Sequence, residues 1–171
     1  TFAEWASVAA DELRAACDEH GAPLPELTVE PGRSVVGPAA VALYEVGASK
    51  RIAGVRHYVS VDGGMADNIR PSLYGAVYTA EIANREASGP AEPVTIAGRY
   101  CESGDILIKD ARLPELRPGD LLAMPSAGAY ALPMASNYNA VPRPAVVLVL
   151  DGQARLIRRR ETYADVFASE I

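Results

Sequence analysis

Lysine is scarce in this sequence. Of its 16 basic residues only Lys50 and Lys109 are lysines. Two other absences bound the problem further. Cys17 and Cys101 are the only cysteines, far apart and without a companion Cys or His at metal-ligand spacing. That excludes a disulfide scaffold and gives no metal site. No apolar run approaches the roughly 18 residues of a membrane span, and no charged-then-apolar stretch reads as a secretion leader. Positive charge is also in deficit: 22 acids against 16 bases leave a net charge of −6. An acidic surface argues against nucleic acid and anionic membranes as partners. These features predict a cytoplasmic protein with two reduced thiols. The two histidines, His20 and His57, have no partner pattern. His20 reads as a solvated helix end and His57 as a strand residue.

What is present is a packed interior. Apolar residues make up 49% of the 171, enough for one good core. The chain opens at Thr1, already inside a helical pattern and without a methionine, which predicts a piece of a longer protein. Phe2, Trp5, Val8, Ala9, Leu13 and Ala16 recur at three- and four-residue steps, one face of an amphipathic helix that Gly21 would stop. Leu27 to Val29 is a short β-prone run. A helix followed by such a strand reads as a unit of an α/β structure.

The texture changes near Arg33. Ser34 to Val46, Arg56 to Val61, Leu73 to Ile82, Val94 to Tyr100, Ile106 to Ile108, Leu121 to Met124 and Ala145 to Leu150 all read as strands. Asp62-Gly63-Gly64 reads as a turn, and Asp151-Gly152 as a hairpin turn into Ala154 to Ile157. Ala87 to Pro93 is an exposed loop, and Glu161 to Ser169 returns to a helical period. Short strands at turn-punctuated spacing predict a β-sandwich or β-barrel.

Four clusters carry candidate chemistry. In Glu30-Pro31-Gly32-Arg33 the proline and glycine permit a tight bend after a strand, setting a carboxylate beside a guanidinium. Cys101-Glu102-Ser103-Gly104-Asp105 places a thiol among acids at a turn. Arg70 and Tyr74, in a run from Asp67 to Tyr74, could hold a carboxylate, the arginine in a bidentate fork. Gly128-Ala129-Tyr130 and Ser136-Asn137-Tyr138-Asn139 lie in a run of small and polar residues that lets a ligand approach the backbone. Taken singly, each also has a plain reading: a surface ion pair, a buried thiol before an acidic turn, a solvated loop, ordinary loop packing.

In order, however, the segments EPGRSVVGPA, YVSVDGGMADNIRPSLYGA, CESGDIL, GAYALPMASNYN, RPAVV and RRETYADV closely resemble the diaminopimelate decarboxylases. These belong to the ornithine/diaminopimelate/arginine decarboxylase group of fold-type III pyridoxal-phosphate enzymes. The resemblance runs from about Pro25 to the end. It implies a mainly β chain: residues 1–33 the last helix and strand of a (β/α)8 barrel, residues 34–171 a C-terminal Greek-key β-barrel or sandwich. It implies pyridoxal 5'-phosphate as cofactor and no metal. Glu30 would pair with the pyridine nitrogen. Gly32, Arg33 and Tyr130 would bind the cofactor, near its phosphate, and Arg33 and Tyr130 would also reach the substrate. Arg70 and Tyr74 would grip the substrate's distal end, Glu102 its distal ammonium, and Cys101 would be the catalytic proton donor.

In this family Cys101 and Glu102 would serve the partner subunit's site, so the resemblance implies a homodimer with shared active sites. It also implies meso-2,6-diaminopimelate as substrate, with L-lysine and carbon dioxide as products. A far carboxylate for Arg70 and a far ammonium for Glu102 agree with that choice by charge complementarity. The rivals are an ornithine or arginine decarboxylase and a non-catalytic regulatory homologue. One departure is large. The Schiff-base lysine of the family belongs to an early barrel strand, and neither Lys50 nor Lys109 matches it. The 171-residue chain alone is therefore expected to be inactive and is not expected to hold the cofactor.

Overall fold

The computed structural model of the chain describes all of residues 1–171, and its first element is helix α1, Phe2–His20. Thr1 caps it: its side chain accepts from the Glu4 N–H while the Glu4 carboxylate returns to the Thr1 backbone, satisfying donors that a helix start leaves free. Gly21 ends it at φ 60°, left-handed, with its N–H turned back to Asp18; without a side chain it enters that region at little cost. Phe2, Trp5 and Val8 are exposed. Residues Thr1–Pro31 form one compact unit and Gly32–Ile171 a second. The strand expected at Leu27 to Val29 is irregular coil. Strand backbone needs a neighbour to take its N–H and C=O groups, and residues 22–31 pair with no strand.

The second unit is sheet-rich. Its strands are β1 Ala42–Ile52, β2 Arg56–Val61, β3 Glu81–Ile82, β4 Glu92–Ala97, β5 Ile106–Leu113 and β6 Leu121–Met124. They form one sheet in the order β3-β6-β1-β2-β4-β5. All neighbours are antiparallel except β2 and β4. That parallel pair requires a long crossover, and residues 62–91 supply it, carrying helix α3, Arg70–Tyr74, and strand β3 on the way. One face of the sheet packs Tyr44, Val46, Val59, Val61, Ile96, Leu107, Leu122 and Met124 into a single buried cluster. A second sheet is the hairpin of β7, Val146–Leu150, and β8, Gln153–Arg158. Asp151 and Gly152 both have positive φ, 49° and 71°, the two-residue turn whose twist suits a hairpin. Helix α4, Tyr163–Val166, starts on a capping box from Thr162 and Asp165. No helix is long and apolar enough to cross a membrane.

Three expectations need correction. Ser34 to Val46 is not one strand. Helix α2, Arg33–Val36, and a 3-10 turn, Gly37–Ala39, precede β1, because Pro38 in the first turn of the 3-10 element cannot donate to a ladder. Leu73 to Ile82 is likewise mostly not strand. Pro71 sits in the first turn of α3, and Gly75 closes it by donating to the Arg70 and Pro71 carbonyls, so local helix chemistry wins over the apolar pattern. Asp62-Gly63-Gly64 forms no regular turn; only Asp62 is a bend, and the glycines serve close packing: a Cβ on Gly63 would lie 2.4 Å from both the Tyr44 ring and the Asp67 carboxylate.

Candidate active site

Helix α3 is one turn long, so Arg70 and Tyr74, four residues apart, share a face. The Arg70 guanidinium lies over the Tyr74 ring, 5.6 Å from its centroid, and over the Tyr130 ring at 5.5 Å. Rings on two sides hold the charge without neutralising it. Beside them is a cavity of about 490 Å³ with Arg33, Gly37, Arg70, Tyr74, Tyr78 and Ser126 among its lining. No Asp or Glu lines it. Two guanidinium groups without a local acid make an anion-binding surface, suited to carboxylate or phosphate.

Gly128 fixes the wall that carries Arg33. Its N–H donates to the Gly37 carbonyl at 3.0 Å, and a Cβ there would lie 1.9 Å from the Val36 oxygen. Two residues on, Tyr130 stands at φ 59° and is 47% exposed. Such a backbone is uncommon for a side chain of this size, and strain of this kind clusters at ligand sites.

A second cluster is built around Asp105, which is only 3% exposed. Its carboxylate accepts from the Met65 N–H at 2.7 Å and the Tyr100 N–H at 2.8 Å. Glycines at 64 and 98 make room for it: a Cβ at Gly98 would lie 2.1 Å from Oδ2. Burial raises its pKa, partly offset by those two hydrogen bonds. The turn bearing Cys101 and Glu102 hangs from this anchor. The Ser72 hydroxyl donates to the Gly104 carbonyl, tying the turn to α3. The Tyr138 hydroxyl donates to Glu102, and Asn139 Nδ2 donates to Cys101 Sγ at 3.6 Å. The hydrogen bond to Glu102, with some desolvation, holds the Tyr138 phenol above its ordinary range. Tyr138 also meets the Tyr100 ring edge-on, with centroids 5.7 Å apart.

The structure thus brings Arg33, Arg70 and Tyr74 to one cavity, with Tyr130 stacked on Arg70. Cys101 and Glu102 are exposed in the second cluster and do not line that cavity. Gly32, at φ 42°, precedes α2. Glu30 is an exposed coil residue of the first unit. Lys50 on β1 and Lys109 on β5 are exposed and do not line the cavity either. His57 shares a hydrogen bond with Ser49 at 2.7 Å, and no group of three or more His, Cys, Asp or Glu is placed to hold a metal. Asp105, read as one of the acids of the Cys101 turn, is a buried anchor. Sequence reasoning also missed the contacts of Tyr138 and Asn139. The polar run Ser136 to Asn139 was the visible signal, but its targets lie 36 and 38 residues away.

A family model described as pyridoxal-dependent decarboxylase, C-terminal sheet domain, matches residues 14–128. The diaminopimelate decarboxylase of Synechocystis sp. is 52% identical over 167 residues, covering 98% of this chain and 36% of that protein. The Bacillus subtilis diaminopimelate decarboxylase is 51% identical over 163 residues, covering 95% and 37%. Among solved structures, diaminopimelate decarboxylase from M. jannaschii in complex with L-lysine superposes with a TM-score of 0.79 at 40% identity, covering 90% of this chain and 35% of that one. The chain therefore spans little more than a third of the length of these relatives.

Proposed function

Since this chain belongs to the pyridoxal-dependent decarboxylases, whose C-terminal sheet domain it carries, we propose that it is part of a diaminopimelate decarboxylase. The whole enzyme converts meso-2,6-diaminopimelate to L-lysine and carbon dioxide. The observation that carries this reading is the separation of charge: Arg33 and Arg70 line a cavity free of acids, while Glu102 is held in its own cluster. A diamino dicarboxylate needs both kinds of partner. Arg70, with Tyr74 on the same face, takes the distal carboxylate, and Glu102 takes the distal ammonium. Ornithine has no distal carboxylate and would leave Arg70 without an anion.

The chain's own residues fit the cofactor's anionic end. Arg33 on the cavity lining, Gly32 before it and the exposed Tyr130 phenol suit a phosphate. Pyridoxal phosphate, when bound, supplies the electron sink for decarboxylation. Cys101 gives the proton that replaces the departing carboxylate. Cys101 and Glu102, exposed and away from this chain's own cavity, are read as serving the cavity of a partner subunit in a homodimer, as the family resemblance implies. Its place is the cytoplasm. The Schiff-base lysine comes from outside these 171 residues.

The test is lysine release from meso-diaminopimelate by the full-length protein, assayed beside ornithine decarboxylation. Lysine release with negligible ornithine turnover is expected; the reverse preference overturns the substrate assignment.

A further inference from the structure

The turn Tyr138–Ala140 has an unusual backbone: Asn139 and Ala140 both have positive φ, 54° and 57°. Neither is glycine, and alanine has no side-chain group to compensate for the left-handed region. The turn is held there from behind. Asn137 Nδ2 donates to the Val141 carbonyl at 3.0 Å and to Glu161 Oε2 at 2.7 Å, and the Arg143 N–H donates to the same oxygen at 2.9 Å. From its other side the turn projects two donors at the two residues given chemical roles above. The Tyr138 hydroxyl meets Glu102 Oε1, and the Asn139 carboxamide meets Cys101 Sγ. Glu102 Oε2 meets no protein donor, which leaves it open toward a cation.

We infer that Tyr138 and Asn139 are positioning residues: one strained turn, latched by Asn137, Arg143 and Glu161, aims the Glu102 carboxylate and the Cys101 thiol together. The inference rests on the proposed roles of Glu102 and Cys101. Tyr138 fixes one carboxylate oxygen and leaves the other without a protein donor. Asn139 fixes the thiol's direction and gives its sulfur a hydrogen-bond donor. Asp105 anchors the far end of the Cys101 turn, so the two residues are held at both ends of a short segment. The raised pKa of the Tyr138 phenol keeps it a donor.

The experiment uses full-length enzyme and three variants. Tyr138→Phe keeps the ring and its contact with Tyr100 and removes only the hydroxyl. KM for meso-diaminopimelate is expected to rise about tenfold, the loss of one charge-assisted hydrogen bond, with kcat within about twofold. Asn139→Ala, in a Cys17→Ser background that leaves Cys101 as this region's thiol, is expected to slow alkylation of Cys101 by iodoacetamide at least about threefold, since the sulfur loses the contact that fixes its direction. That readout needs no turnover. Glu102→Gln separates the failures. If it raises KM while Tyr138→Phe and Asn139→Ala change nothing, the positioning inference falls and the proposed function stands. If it leaves KM unchanged, the role of Glu102 falls with its Tyr138 support, and the alkylation rate alone decides Asn139.

Discussion

The guanidinium of Arg70 lies over the ring of Tyr130, 5.5 Å from its centroid, although the two residues are 60 positions apart in the chain. The contact joins helix α3 to the loop that carries Tyr130, so a change in one is felt at the other.

Arg70→Lys keeps the charge but loses the planar fork and the stacking. Losing a charged hydrogen bond costs about 1.5–3 kcal/mol, so KM for meso-diaminopimelate should rise about 10- to 150-fold. Steady-state kinetics on the full-length enzyme checks this. An unchanged KM would take Arg70 out of the substrate site.

Cys101→Ala should lower kcat by about 10²- to 10⁴-fold, the usual worth of a positioned proton donor, while cofactor absorbance stays intact. Turnover like the parent's would remove Cys101 from the mechanism.

Gly128→Ala tests the wall of the cavity. Its Cβ would lie 1.9 Å from a backbone oxygen, which no rotamer change relieves. Overpacking of this kind costs about 1–3 kcal/mol, seen as a fall of several degrees in melting temperature, and it should displace Arg33. A variant as stable as the parent would show that the 33–37 segment yields freely.

Glu161 gives a pH signature. Hydrogen bonds from the Arg143 side chain and backbone and from Asn137 push its carboxyl down to about 2. A carboxylate with a depressed folded-state pKa adds stability that is complete above its ordinary value of 4.5 and is lost as pH falls toward 2. Melting temperatures of parent and Glu161→Gln should therefore differ most above pH 5 and converge on acidification. A constant gap across that range would mean that the charge contributes nothing.

The 171-residue chain, purified alone and given pyridoxal phosphate, should release no carbon dioxide from meso-diaminopimelate, because neither Lys50 nor Lys109 lines the cavity. Activity in the isolated chain would refute the assignment of the reactive amine to another part of the protein.

The elements legible in the sequence were those decided locally. Arg56–Val61 and Leu121–Met124 follow from alternation and β-branching, Gly21 from helix capping, and Asp151-Gly152 from turn chemistry. Where apolar composition and local chemistry disagreed, composition misled: Leu73 looked like strand, but Pro71 and Gly75 bracket a helical turn around it. At the site, the residue types of Arg33, Arg70, Tyr74 and Tyr130 were visible. The i, i+4 pairing of Arg70 and Tyr74 was hidden by the mistaken strand. The hold of Tyr138 on Glu102 depends on a fold that brings residues 36 apart together, and no local pattern encodes it.

Tyr44 is 5% exposed, with its ring against Gly63. Desolvation, with the nearby Asp67 and Asp62, lifts its phenol far above the usual tyrosine range. In alkali, a loosened chain would surrender that proton near pH 10 while the folded one keeps it, so alkalinity pulls the equilibrium toward opening. Phenolate absorbance from Tyr44 then becomes a built-in gauge of when the β1 side of the core lets water in.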